Sequence, residues 1–335
     1  MTDGPWLVTG ASGFLGRHLL QHAESGERDR RTIALVRVAS EWHGMEWTRD
    51  LTRTEPLVGA VDGDQSWTSD RRLDGLGGIF HLAALVRHSR RDAAEVYRTN
   101  VDGTLNMVRL AAVRRCRLVF VSTSGTVACF RDPSRTADEG APYCENEVRH
   151  WPYYHSKVVA EREARRLADE LGVELVIVRP PVLLGPGDHK FRATNHVIRF
   201  LRGRLPFLIR GGMHFTDVRD AASAVLRAMS RANARPVYHL PGTVCSIEDF
   251  YGMVARAAGE PPPRAVVPFA VAWWVAKLLS PLHVLPEPTL VEMGARYWGM
   301  TSRYAADELG YTSRRRDETL AETVQWIRAN PPAVA

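Results

Sequence analysis

Lysine is almost missing from this chain of 335 residues. Only Lys157, Lys190 and Lys277 occur among 44 basic side chains, so arginine carries nearly all of the formal net charge of +6. The arginines are scattered among acids, as at residues 28–31, 162–166 and 314–316. No basic stripe interleaved with aromatics is present, so these positions read as solvated helix faces and no nucleic-acid partner is expected. Cysteine is scarce too. Cys116, Cys129, Cys144 and Cys245 form no close pair with metal-ligand spacing, which predicts no metal site and reduced thiols in a cytosolic setting. Nothing at the start resembles a signal peptide, because the first strand begins at once, so a cytoplasmic protein is expected.

Long apolar runs are also wanting. The most apolar stretch, 265–286, carries Trp273 and Trp274 but is broken by Pro268, Lys277, Pro281 and His283. It is too interrupted to cross a bilayer comfortably. A helix lining an apolar substrate pocket is the preferred reading, and shallow peripheral membrane contact is the alternative.

What is present begins at Trp6-Leu7-Val8-Thr9, a short apolar run that meets Gly10, Gly13 and Gly16. An amphipathic stretch with Leu15, Leu19, Leu20 and Ala23 follows. Strand, glycine turn and helix in that order make a phosphate cradle: glycine permits the tight turn, and the helix start offers free N–H groups and a positive dipole end. Further strands are expected at 32–37, 78–83, 118–122 and 174–179, with helical patterns at 92–113 and 153–171. This alternation predicts an α/β fold, a Rossmann-type doubly wound parallel sheet. After Pro180 the texture changes to short elements: a helix at 217–230, a strand at 237–240, a helix opened by Ser246 and a tail helix at 317–328. The division expected is a dinucleotide-binding domain at 1–180 and a smaller C-terminal substrate-binding lobe at 181–335, with 214–240 returning to the Rossmann core.

Two clusters carry chemistry. Tyr153 and Lys157 stand four residues apart and so share a helix face. A phenol titrates near 10 and is a poor base at neutrality, whereas a neighbouring ammonium favours phenolate. Tyr153 is thereby expected to be acidified by Lys157 and to pass a proton to or from an alcohol oxygen. The second cluster, Ser122-Thr123-Ser124, closes an apolar strand with hydroxyls that can polarise a substrate oxygen.

Together these residues resemble the extended branch of the short-chain dehydrogenase/reductase family, from Leu7 to about Arg328. The resemblance implies that Gly10, Ser12, Gly13, Phe14, Leu15 and Gly16 bind the cofactor. It makes Ser124 the polarising serine, with Ser122 or Thr123 as alternatives, Tyr153 the acid/base, and Lys157 its partner and ribose ligand. It adds Asn100 as support for a water relay behind Lys157, and Asp62, Leu82, Ala83, Ala84, Ser122, Pro180 and Val182 as cofactor contacts. Asp62 departs from the family pattern in following Val61 rather than glycine.

The second strand ends in Arg37, with no acid until Glu41. A guanidinium there suits a 2′-phosphate, so NADP(H) is favoured over NAD(H). The segments Arg179-Pro180-Pro181-Val182 and Ala128-Cys129-Phe130 depart from sugar-nucleotide enzymes. They move the resemblance toward the group of dihydroflavonol reductases and 3β-hydroxysteroid dehydrogenases. The expected activity is interconversion of a ketone or aldehyde and an alcohol on a hydrophobic small molecule. The alternatives are a nucleotide-sugar epimerase or dehydratase, or a non-catalytic dinucleotide sensor. A homodimer is expected from the resemblance alone.

Overall fold

Seven short runs of mostly apolar residues build one sheet. In the computed structural model, which describes residues 4–26, 30–205, 207–263, 265–279 and 288–332, they are Trp6–Thr9 (β1), Thr32–Val36 (β2), Thr54–Val58 (β3), Gly78–His81 (β4), Leu118–Val121 (β5), Leu175–Arg179 (β6) and Val237–His239 (β9). Val182–Leu184 (β7) and Gly212–Asp217 (β8) intervene before β9, and Thr243–Ser246 (β10) follows it. The sheet runs β9-β6-β5-β4-β1-β2-β3, with every neighbouring pair parallel. Strands β1 and β2 are buried along their whole length, as a parallel sheet covered on both faces requires.

Helices Phe14–Gly26 (α1) and Val218–Ser230 (α4) cover one face, through Leu15, Leu19, Leu20, Ala221 and Val225. Helices Gly103–Arg114 (α2) and Pro152–Leu171 (α3) cover the other, through Met107, Val108, Ala164 and Leu167. From β1 the chain steps to β2 and β3 on one side and returns to β4 on the other. This strand-order switch opens the crevice in which doubly wound sheets hold ligands. A smaller sheet, β10-β8-β7, packs with Ile247–Ala258 (α5) and Arg316–Ala329 (α7) around Phe215, Phe250, Leu320 and Val324.

Two elements differ from expectation. The run holding Pro56 forms β3, because it lies at the sheet edge where a residue without an N–H breaks no inner ladder. The helix expected over 92–113 is interrupted by a π-helical turn at Arg98–Asp102, which carries Asn100. Within 265–286, Phe269–Leu279 is helical (α6); it buries Ala272 and Ala276 and leaves Trp274 and Leu278 exposed. Residues 280–286 lie outside the described residues. Among the described residues, no helix is long and apolar enough to cross a membrane.

Candidate active site

The glycine turn is built to approach other backbone closely. Gly10 has φ +68°, and a Cβ there would lie 2.7 Å from Ala83 N and from the Leu82 carbonyl carbon. A Cβ on Gly16 would stand 2.3 Å from the Gly10 carbonyl oxygen, so this residue lets α1 start directly on the turn. Phe14 and Leu15 begin α1, Leu15 is buried, and Phe14 packs edge-on against His18. Leu82, Ala83 and Ala84 follow β4 beside this turn, with the Ala83 N–H donating to Thr9 Oγ1 at 3.2 Å. His81 is wholly buried between Thr9 Oγ1 (2.8 Å) and Thr104 Oγ1 (3.0 Å). Burial, with help from Lys157, pushes it down to about 3, so it is neutral structure.

The catalytic candidates meet at the carboxyl end of β5. The Thr123 hydroxyl lies near enough to the Tyr153 phenol to draw its pKa down against burial. Thr123 also caps the short turn Ser124–Thr126, accepting from Gly125 N at 3.3 Å. Ser124 is buried, and its N–H donates to Pro180 O at 2.9 Å. Ser122, also buried, ties β5 to β6 by donating its N–H to Val178 O at 2.8 Å. Of the three hydroxyl residues, Thr123 is thus the one that acts on the phenol. Val182, half-buried, opens β7 two residues beyond Pro180.

The sequence expectation that Lys157 acidifies Tyr153 is not met. Desolvation pushes the phenol up to about 12, opposed only by the Thr123 hydroxyl. The Lys157 ammonium is turned elsewhere: it donates to Val121 O at 2.9 Å and sits 4.3 Å over the Phe120 ring. Burial drives it down to about 7, with the charge of Glu161 pulling the other way.

Glu161 is the residue that sequence reading missed. It lies one helical turn beyond Lys157 on α3, wholly buried, and receives Arg179 on both carboxylate oxygens. It also accepts from Thr126 Oγ1 at 3.0 Å, while Arg179 reaches His239 Nε2 at 3.1 Å. The Arg179 guanidinium holds this carboxyl below its usual range despite burial. The signal was available, since 153, 157 and 161 form an i, i+4 series along one helix face.

Asn100 is buried, but its amide atoms face neither Lys157 nor open space. Its Oδ1 accepts from Leu85 N at 2.7 Å; its Nδ2 donates to Leu85 O at 3.1 Å and to Ser156 Oγ at 2.9 Å. It clamps the loop after β4 to α3. Asp62, after β3, accepts from Thr99 Oγ1 at 2.6 Å and lies 3.7 Å from Arg98 Nε. The cysteines that show no pairing in sequence include one contacting pair: buried Cys144 and Cys129 meet, and the Cys144 thiol donates to Gly125 O at 3.3 Å.

A strap from beyond β7 crosses the glycine turn. His18 on α1 holds Pro186 O at 2.9 Å, and His189 Nε2 lies 3.1 Å from Ser12 O. Lys190 Nζ donates to Ser12 Oγ at 3.0 Å. Arg37, exposed just past β2, stands beside the same turn because β1 and β2 pair in register from Trp6↔Thr32 to Thr9↔Leu35. A glycine turn that side chains would block, ringed by cations, fits a phosphate-bearing dinucleotide.

Comparison with known proteins agrees with this geometry. Residues 6–240 match the NAD dependent epimerase/dehydratase family. A putative dihydroflavonol 4-reductase of Synechocystis is 30% identical, covering 96% of this chain and 94% of that protein. Sterol demethylase protein B of Methylococcus capsulatus is 27% identical, covering 96% of this chain and 98% of that protein. The crystal structure of gox2253 superposes with a TM-score of 0.82 at 27% identity, covering 98% of each chain. A sheet with its switch at β1/β4, a glycine cradle and the matched 6–240 span lead to one assignment: the chain belongs to the NAD dependent epimerase/dehydratase family, the extended short-chain dehydrogenase/reductases, and is an NAD(P)-dependent enzyme.

Proposed function

We propose that this protein is an NADP(H)-dependent oxidoreductase that interconverts a ketone or aldehyde and an alcohol on a hydrophobic small molecule. The observation that carries the reading is the meeting of the Thr123 hydroxyl and the Tyr153 phenol at the carboxyl end of β5. When bound, the nicotinamide supplies or accepts the hydride. Thr123 orients the phenol and, in turn, a substrate oxygen. Tyr153 holds the transferable proton at its Oη. A phenol pushed up to about 12 keeps its proton at neutrality, which suits donation to the alkoxide that develops as a carbonyl is reduced. Lys157 places a cation at the base of the same helix face. Gly10, Gly13 and Gly16 cradle the phosphates, and Arg37 offers a guanidinium where a 2′-phosphate would lie.

The apolar substrate class is supported by the ring cluster beside the phenol. Tyr154 lies 5.1 Å from Tyr153 and stacks on Trp298 at 5.1 Å, and His88 meets Tyr153 edge-on at 5.9 Å. Such rings favour an apolar or aromatic carbonyl compound over a charged sugar nucleotide.

The test is NADPH oxidation against a panel of apolar ketones and aldehydes, with NADH in parallel. Turnover with NADPH that Tyr153→Phe abolishes, while cofactor binding persists, is the expected result. Turnover of a nucleotide sugar without net cofactor change would overturn the reading in favour of an epimerase.

A further inference from the structure

Lys190 reaches Ser12, and two further exposed cations, its neighbour Arg192 and the distant Arg37, lie near enough to act on its ammonium. Among the described residues no carboxylate stands within ion-pair distance of any of them, whereas 15 other arginines have one. Like charges gathered with no carboxylate at ion-pair distance raise each other's cost. Burial first, and then Arg192 and Arg37, depress the Lys190 ammonium, with only Glu41 opposing. Such a cluster is stabilised by an anion placed among its members.

The strap that delivers Lys190 is fixed rather than loose. Gly185 and Gly187 adopt φ +133° and +97°, which turns the chain back over α1. Asp188 then closes the loop, accepting from Thr194 N and Oγ1 at 2.9 Å each. His18 and His189 pin it to α1 and to the glycine turn as described. The strap therefore delivers the ammonium to Ser12 Oγ, and Arg37, just past the end of β2, lies near enough to act on its charge.

We infer that Lys190 is a specificity-determining residue that binds the 2′-phosphate of NADP(H), closing over it from the strap while Arg37 holds it from the β2 side. The inference rests on the NADP(H) preference proposed above. Ser12 Oγ, now bonded to Lys190, becomes a third ligand of the same phosphate. An enzyme built this way recognises its cofactor with both parts of the chain, the glycine turn before residue 180 and the strap after it.

The test is equilibrium binding followed by intrinsic tryptophan fluorescence and calorimetry, with NADPH, NADH, 2′,5′-ADP and 5′-ADP as probes. Lys190→Ala should weaken NADPH and 2′,5′-ADP by about tenfold to a hundredfold, the worth of one charge-assisted phosphate contact, and leave NADH and 5′-ADP unchanged. Lys190→Arg should restore most of the loss. Equal weakening of NADPH and NADH by Lys190→Ala would overturn the inference and assign Lys190 to the pyrophosphate. Loss of NADPH preference in Arg37→Ala but not in Lys190→Ala would overturn the inference while leaving the cofactor reading standing. Equal affinity of the wild-type protein for NADPH and NADH would overturn both. Because Lys190 is exposed, an unchanged melting temperature is expected and separates binding from folding.

Discussion

Glu161 and Arg179 face each other in the core, with Arg179 Nε 3.1 Å from both carboxylate oxygens and both side chains almost completely shielded from solvent. The pair joins α3 to β6 one turn beyond Lys157 on the face that carries Tyr153. Its removal in halves should be far worse than its removal whole. Glu161→Gln strands a buried guanidinium and should cost about 3–5 kcal/mol. The double variant Glu161→Leu/Arg179→Met should recover most of that. Denaturant unfolding of the three proteins decides; a double variant no more stable than the single one would refute the argument.

Lys157 carries a pH signature. Its folded value of about 7 lies below the ordinary 10.5, because burial disfavours the charged form. The unfolded chain therefore binds more protons between those values, and this residue makes stability rise with pH across that window. Below pH 7 the full cost of the buried ammonium is present. Lys157→Met should accordingly gain most in melting temperature over wild type near pH 6, with the gain shrinking toward pH 10, while turnover is lost throughout. A difference that is flat with pH would contradict the assignment.

Thr123, rather than Ser124, should dominate carbonyl polarisation. Thr123→Val is expected to lower kcat/KM by about a hundredfold or more, the usual loss for one such donor. Ser124→Ala, whose backbone N–H to Pro180 O survives, should stay within about tenfold of wild type. Steady-state kinetics on the best substrate of the panel will rank them, and the reverse order would exchange their roles.

Gly10→Ala should fail twice. Its Cβ would press to 2.7 Å on Ala83 N in a conformation, φ +68°, that alanine resists. A loss of about 1–3 kcal/mol is expected from the backbone strain. NADPH binding should vanish in the protein that remains folded. Calorimetric titration beside a thermal melt measures both, and full affinity would show that the cradle is more forgiving than its spacing.

Much of this architecture could be read from residue order. β1 is observed at Trp6–Thr9 as expected, α3 ends at Leu171 with Gly172 left-handed, and α7 buries Leu320, Val324 and Ile327. These signals are local: short apolar runs, helical periodicity and a C-terminal glycine. Ser246 caps α5 by accepting from Asp249 N at 2.9 Å, while Asp249 takes the Ser246 hydroxyl rather than its N–H, because the shorter side chain falls short of the backbone. What escaped was set by tertiary context. Pro56 hid an edge strand. The π-helical turn turned Asn100 from a relay into a clamp. The direction of the Lys157 ammonium depended on the Val121 carbonyl and the Phe120 ring, which only the assembled sheet brings beneath it.

The contact between Cys129 and Cys144 has an experimental use. Both thiols are shut away from solvent, and the Cys144 thiol is held as a neutral donor to Gly125 O, its acidity suppressed by its neighbour and by burial. Thiolate is the form that alkylating reagents attack. Labelling of Cys144 must therefore wait for the backbone around the catalytic turn to open, so its rate is an intrinsic clock of breathing at that turn, and any ligand that settles there should slow it.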